Sequence, residues 1–404
     1  MQVGLDRVPA SGSVLSRLRG QRVGLLAHPA SVDRSMRHAS EVLASLGIAP
    51  RVFFGPEHGY GGEAQYMETV GDARHPETGA PVVSLYGSSL DSLAPRDEHL
   101  DLIDLLVVDL ADVGSRYYTF VWTALLAARA AARRGVHTLV LDRPNPLGRR
   151  VEGRTNTLRS FVGLEPLPVR HGLTVGEIVA LFMERDGHTL GPDGACSVLP
   201  VDGLADDHDG HRWDRPFVMT SPNMPTLDTA LVYPGGCLLE GTNLSEGRGT
   251  TRPFELIGAP WLDGRRLASA LAASGLEGFV ARPVSFSPTF DKFRGEACQG
   301  VQIHPTDREA FRPCATYLAL IGLAQRHHPE HFRFRTEAYE FVDDIPAIDL
   351  LTGDDRARRS LEAGEDPIAV AREWSRHDSD PGRDATPALA RAAGRSTQDA
   401  RSGA

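Results

Sequence analysis

Apolar positions fall into two regimes along the chain. Between residues 22 and 142, short β-branched or leucine-rich runs alternate with stretches of helical spacing at 35–46 and 118–134. The runs are RVGLLAH (22–28), RVFFG (51–55), DLLVVDLAD (104–112) and HTLVLD (137–142), with PVVSLY (81–86) as a fifth. Their hydrophobicity is nearly continuous, which predicts strands covered on both faces, and strands interleaved with helices predict βαβ units and a parallel sheet. The alanine-rich 118–134 segment is closed by Gly135, a helix-ending residue.

From about residue 150 Pro and Gly become frequent, and clear helical spacing returns only at 174–185 and 308–326. The pattern predicts an α/β protein: a Rossmann-like parallel-sheet domain over 1–155 and a smaller mixed α/β domain over 156–375. Loops at 204–216 and 241–260 are long enough to suggest function. Residues 376–404 lack apolar periodicity and mix charges with small residues, which predicts a disordered tail.

Composition narrows the class. The chain has 404 residues, 41% hydrophobic and 24% charged, as expected of a folded globular protein of two domains. A net charge of -10 with scattered arginines argues against a nucleic-acid partner. The N-terminus has no continuous apolar core of a leader, and no run of about 18 apolar residues occurs. The expectation is a cytoplasmic protein without a membrane partner. Cys196, Cys237, Cys298 and Cys314 are far apart, with no CxxC spacing, and are expected to be buried free thiols.

Ligands of open parallel sheets bind beyond the carboxyl ends of the strands, so the residues after each run carry the candidate chemistry. Glu57 and His58 follow 51–55; Asp109, Asp112, Arg116, Tyr117 and Tyr118 follow 104–108; Asp142, Arg143 and Asn145 follow 137–141. Asp142 and Asn145, in DRPNP, serve equally well as turn and cap residues. Glu57 is a poor cap and stands among glycines that let backbone approach a ligand, which favours a site. A second dense stretch, 233–261, combines Glu240, Asn243, Ser245, Glu246, Arg248, Thr250, Thr251 and Glu255 with Tyr233, Phe254 and Trp261. Paired polar groups beside flat apolar surfaces are what a sugar requires. A nucleotide reading fails for want of GxGxxG or GxxxxGK[ST]. A metal reading through His58, Asp109, Asp112 and His171 lacks paired ligand spacing.

Taken in order, GPEHGYGG with Glu68 nearby, DLADVGSRYYTF, LDRPNPLG, PVRHGLTVGE, SPNMPT, the 233–261 stretch and PTFDKFRGEACQGVQIH resemble the DUF1343 family. Its characterised members are NamZ-type exo-β-N-acetylmuramidases. The likeness runs from about residue 2 to about 375. It implies a cleft between a Rossmann-like domain and a smaller one, and hydrolytic release of N-acetylmuramic acid (MurNAc) from the non-reducing end of peptidoglycan fragments. Such fragments would be the small-molecule partner, in cell-wall recycling, and neither metal nor nucleotide cofactor is implied. Glu57 is implied as the catalytic carboxylate, with Tyr118, or else Tyr117, near it. The chain departs from the family at Gly61, where arginine is usual, at Ala111, where glutamine is usual, and after Trp374. The first of these bears on how the lactyl carboxylate of MurNAc is held.

Hydrolysis of a glycoside needs a proton donor and a second group at the anomeric carbon. Glu57 is the candidate acid. The second role is open among Glu68, Asp109, Asp112, Glu240, Glu246, Tyr118 and the N-acetyl group of the substrate itself, which Asp112 would then orient. His58, Glu68, Asn145, Asn223, Glu240, Asn243, Glu246, Arg248 and Thr250 are candidate sugar contacts, and Arg116 or Arg248 would pair the substrate carboxylate. Two other readings stand beside this one: a binding protein that has the cleft without the chemistry, and a metal-dependent hydrolase.

Overall fold

The computed structural model describes residues 1–62, 64, 71, 73–87, 89–205 and 207–395. Five strands arise where the apolar runs predict them: β1 (Val23–Ala27), β2 (Val52–Gly55), β4 (Pro81–Ser84), β5 (Leu105–Asp109) and β6 (His137–Leu141). β3 (Ala73–Arg74) and β7 (Cys196–Leu199) complete a seven-stranded sheet of order β3-β4-β2-β1-β5-β6-β7. All its pairings are parallel except β3 with β4. The register sets Gly24 against Val52 and Leu106, and Ala27 against Asp109. Period-two alternation then sorts the side chains: Val23, Leu25 and Ala27 join one buried cluster, and Leu26, Leu106 and Val108 the other. Both faces are covered, as the unbroken hydrophobicity requires.

The predicted helices form as Ala39–Ser45, Phe120–Arg133, Val175–Arg185 and Pro313–His327. Gly135 follows the second at φ +69°, and the third opens on a capping box between Thr174 and Glu177. A second sheet, β8 (Leu256–Ala259), β10 (Cys298–Pro305) and β9 (Phe279–Phe286), is antiparallel and has helix Gly264–Ala272 against it. The larger buried cluster runs on without a break from the first sheet through Tyr317, Leu318 and Ile321 to Trp374. All four cysteines are buried and free.

Two expectations about organisation change. β7 lies in the large sheet, so that unit continues past residue 155, because Thr138–Leu141 of β6 offers a paired edge to Cys196–Leu199. Within 376–404, residues Gly382–Ala392 form a helix whose Ala385, Ala388 and Ala392 are buried against helix Val175–Arg185. The Arg391 guanidinium clasps Glu184. Alanines at helical spacing allow close approach with little side-chain entropy to lose, so a segment poor in large apolar residues still packs. Among the described residues no helix is long and apolar enough to cross a membrane.

Candidate active site

A partly open cavity lies between the two halves, lined by residues of both, among them Glu57, Tyr118, Glu240 and Glu340. The loop after β2 enters it from one side. Gly55 permits the fold-back: a Cβ there would stand 2.3 Å from the main-chain nitrogen of Tyr60. His58 (φ +71°) and Gly59 (φ +83°) then turn the chain through left-handed backbone, a cost borne by a bulky residue chiefly at functional sites. Glu57 is 7% exposed and accepts a 2.7 Å hydrogen bond from the Thr119 hydroxyl. Thr119 is the residue before helix Phe120–Arg133 and makes no side-chain cap, so its hydroxyl and the positive end of that helix both serve the loop carboxylate. The Nδ1 of His58 bonds the Ala64 carbonyl at 2.8 Å.

Tyr117, Tyr118 and Phe120 form the adjoining wall. The Tyr118 hydroxyl donates to Thr220 Oγ1 at 2.6 Å, and burial raises its pKa above the usual phenol range. Opposite stand Ser221, Asn223 and Met224, from the SPNMPT segment, then Tyr233 and Glu240. Glu240 follows helix Leu227–Gly236 on a 3-10 turn and is clasped by Arg248 Nη2 at 2.6 Å and by the Tyr339 hydroxyl at 2.7 Å. The Arg248 guanidinium lies 5.1 Å over the Phe254 ring and 3.2 Å from Glu246, which in turn holds Lys292 at 3.0 Å. Glu340 completes the wall and accepts from the Tyr86 hydroxyl at 3.2 Å.

Of the residues expected in the site, Glu57, His58, Tyr118, Asn223, Glu240 and Arg248 converge on this cavity. Others are held elsewhere by their own bonds. Arg116 is fully buried and donates to the carbonyls of Arg154, Leu167 and Leu351, so it ties the two halves together and does not line the cavity. Asn145 folds its loop through Leu147 N, Gly148 O and Leu173 O. Asn243 bridges His331 and Arg333, and Thr250 bonds Gly247 and Arg252 within its own turn. Glu246 stands behind Arg248 and Lys292. Asp112 faces a second cavity with Arg143 and Thr220; it accepts from Gly114 N at 2.8 Å and lies 3.2 Å from His171 Nε2. Glu68 falls outside the described residues.

The converging strand ends divide the same way. Asp109 is held by Arg143, and Asp142 accepts from Gly176 N and Thr174 Oγ1 at the start of helix Val175–Arg185, so both build the rim. Burial, then the nearby Glu177, raises Asp142 to about 7. Asp109 is therefore committed to Arg143, Asp112 lies beside His171, and among the described residues no three His, Cys, Asp or Glu side chains converge as metal ligands. Tyr86, Thr119, Tyr339 and Glu340 are absent from the sequence-derived set. Glu340 had one local signal, a carboxylate between the aromatics Tyr339 and Phe341.

Comparison with known proteins places both halves of the chain in one family. Residues 23–228 match the family model described as "Exo-beta-N-acetylmuramidase NamZ, N-terminal", and residues 231–380 its C-terminal counterpart. The chain is 40% identical over 368 residues to the peptidoglycan β-N-acetylmuramidase NamZ of Bacillus subtilis, covering 90% of this chain and 85% of that one. Crystal structures of two DUF1343 family proteins from Bacteroides fragilis superpose with TM-scores of 0.81 and 0.72. The first is 26% identical and covers 98% of each chain; the second is 25% identical and covers 96% of this chain and 98% of its own.

Proposed function

Because the chain belongs to the NamZ family of exo-β-N-acetylmuramidases in both its halves, we infer that its inter-domain cavity is the site of that hydrolysis, with Glu57 at its centre. The protein is an exo-acting glycoside hydrolase that releases MurNAc from the non-reducing end of peptidoglycan fragments. The observation that carries the placement is Glu57 itself: a nearly buried carboxyl, set by strained backbone into a cavity to which both halves contribute.

Glu57 is one of the two groups that hydrolysis needs. The walls of Tyr118, Phe120, Tyr233 and Phe254 suit the C–H faces of a sugar, and Asn223 and Ser221 suit its hydroxyls and amide. Arg248 is the guanidinium among the cavity's lining residues and supplies the cation for the lactyl carboxylate of MurNAc, a role that leaves Arg116 to structure.

The test is a chromogenic β-MurNAc glycoside with wild type and Glu57→Gln. Wild type should hydrolyse it, in the presence of chelator as well, and the variant should lose at least about 100-fold in kcat with its Tm within a few degrees. MurNAc binding without turnover at any pH would replace this reading with a binding protein, and loss of activity on chelation would replace it with a metal-dependent hydrolase.

A further inference from the structure

We propose that Glu340 is the second catalytic carboxyl of this site, the group that protonates the departing glycosidic oxygen, a role that rests on the muramidase reading above.

Backbone geometry is the first support. Tyr339 and Val342 exchange main-chain hydrogen bonds, Tyr339 N to Val342 O at 2.8 Å and Val342 N to Tyr339 O at 3.0 Å. The two residues between them both have positive φ, Glu340 at +48° and Phe341 at +68°. That is the conformation of a type I′ turn, which Asn-Gly or Gly-Gly adopts without strain. A glutamate and a phenylalanine there are strained, and such strain persists where the surroundings over-determine it. The surroundings do so here. Phe341 packs on Tyr86 and Phe161 of the first half, at ring-centroid distances of 5.9 and 6.4 Å, and wedges the turn between the halves. Glu340, 3% exposed, is thereby carried into the cavity that holds Glu57.

Charge is the second support. Among the described residues that line the cavity, three carboxyls, Glu57, Glu240 and Glu340, stand with the Arg248 guanidinium, and neighbouring carboxylates disfavour one another's charged forms. Glu240 is bonded to Arg248 and to a phenol, and Glu57 accepts from Thr119 at a helix N-terminus. Among the described residues no cation is bonded to Glu340; its hydrogen bond comes from the neutral Tyr86 phenol to Oε2. Among the described residues, the charged and titratable groups around it are Tyr86 after β4, which is bonded to it, and in the cavity Glu57 and His58 after β2, Tyr117 and Tyr118 after β5, and Tyr233, Glu240, Arg248 and Tyr339 from the second half. Burial, then the charges of Glu57 and Glu240, raises its carboxyl well above the ordinary range.

The step balances without any further reagent. The Glu340 proton passes to the glycosidic oxygen as the C1–O bond breaks and its electron pair stays on that oxygen. The leaving sugar departs as an alcohol. Water supplies the hydroxyl at C1, and the proton it loses is taken up by the Glu57–Glu340 pair, restoring the starting state.

The experiment separates a proton donor from a structural residue by leaving group. Glu340→Gln and Glu57→Gln are assayed on the disaccharide MurNAc-β-1,4-GlcNAc, whose alcohol must be protonated, and on a 2,4-dinitrophenyl β-MurNAc glycoside, whose phenolate need not be. Glu340→Gln should lose at least about 100-fold in kcat on the disaccharide and no more than about 10-fold on the aryl glycoside, and its pH profile should lose the alkaline limb. Glu57→Gln should lose both activities. Glu340→Asp, which restores a carboxyl on a shorter arm, should recover part of the disaccharide rate. Equal losses on the two substrates, or none, overturn the assignment. A wild type that cleaves neither substrate overturns the muramidase reading instead; the protonated state of Glu340 is then still read directly, as a glutamate carboxyl carbon that titrates above the others by NMR and vanishes in Glu340→Gln.

Discussion

Arg116 and Arg248 are both buried, both guanidinium, and both candidates from sequence for the same task. Their partners separate them. Arg116 donates to three main-chain carbonyls in the interior, whereas Arg248 lines the cavity and is bonded to Glu240 there and to Glu246 behind it. Arg116→Met should cost at least about 3 kcal/mol of stability, since each stranded buried group costs ~1–3, with KM of the folded fraction unchanged. A raised KM with an unchanged Tm would return Arg116 to the site. Arg248→Lys retains the charge and loses the fork, so the KM for a MurNAc glycoside should rise about 10-fold while kcat changes less. A glycoside lacking the lactyl carboxylate should be indifferent to the change, and equal effects on both substrates would remove Arg248 from carboxylate recognition.

At the scale of elements, the helix Gly382–Ala392 is the plainest case of packing without large apolar residues. Its fit depends on alanine being small, so Ala388→Leu should overpack the contact with helix Val175–Arg185 and cost about 1–3 kcal/mol, read as a lowered Tm. In a solvated tail the same change would fall within about 0.5 kcal/mol. The strands of the large sheet were legible for the opposite reason: β1, β5 and β6 are buried on both faces, and only continuous hydrophobicity satisfies that burial. β9 alternates between half-buried and exposed positions and carries Pro283, and β8 is a short run beside glycine-rich chain, so neither has a period that stands out from loop. Helix Leu227–Gly236 ends in Tyr-Pro-Gly-Gly, which local propensity reads as a turn; burial of that whole end holds it helical.

Over the whole molecule, buried titratable groups set how stability should follow pH. Desolvation raises Asp142 and Glu152 from ordinary values of 3.8 and 4.5 to about 7 each. Raised carboxyls bind protons more tightly in the fold, so their contribution is full below about 4 and is lost as pH rises to about 7. His28 has the opposite sign: burial, then Arg143, lowers it from 6.5 to about 3, so its contribution is full above 6.5 and is lost as pH falls toward 3. Asp142→Asn and Glu152→Gln should each flatten the decline between pH 4 and 7, so that Tm relative to wild type improves steadily with pH. Curves running parallel to wild type across that range would show that neither carboxyl is raised in the fold.

The amino-acid sequence alone determined the five central strands of the parallel sheet, four of the helices and the loop that bears Glu57, because each is written in contiguous residues: a run, a period, a glycine-flanked turn. Which polar residues share a cavity was decided by the tertiary structure. Asp112, Arg116 and Asn145 lie beside site residues in the chain, and hydrogen bonds to other partners take them out of the site. Glu340 stands far from Glu57 in the chain, and a strained turn wedged between the two halves brings it in. Proximity of that kind depends on chain closure over hundreds of residues, and no local spacing encodes it.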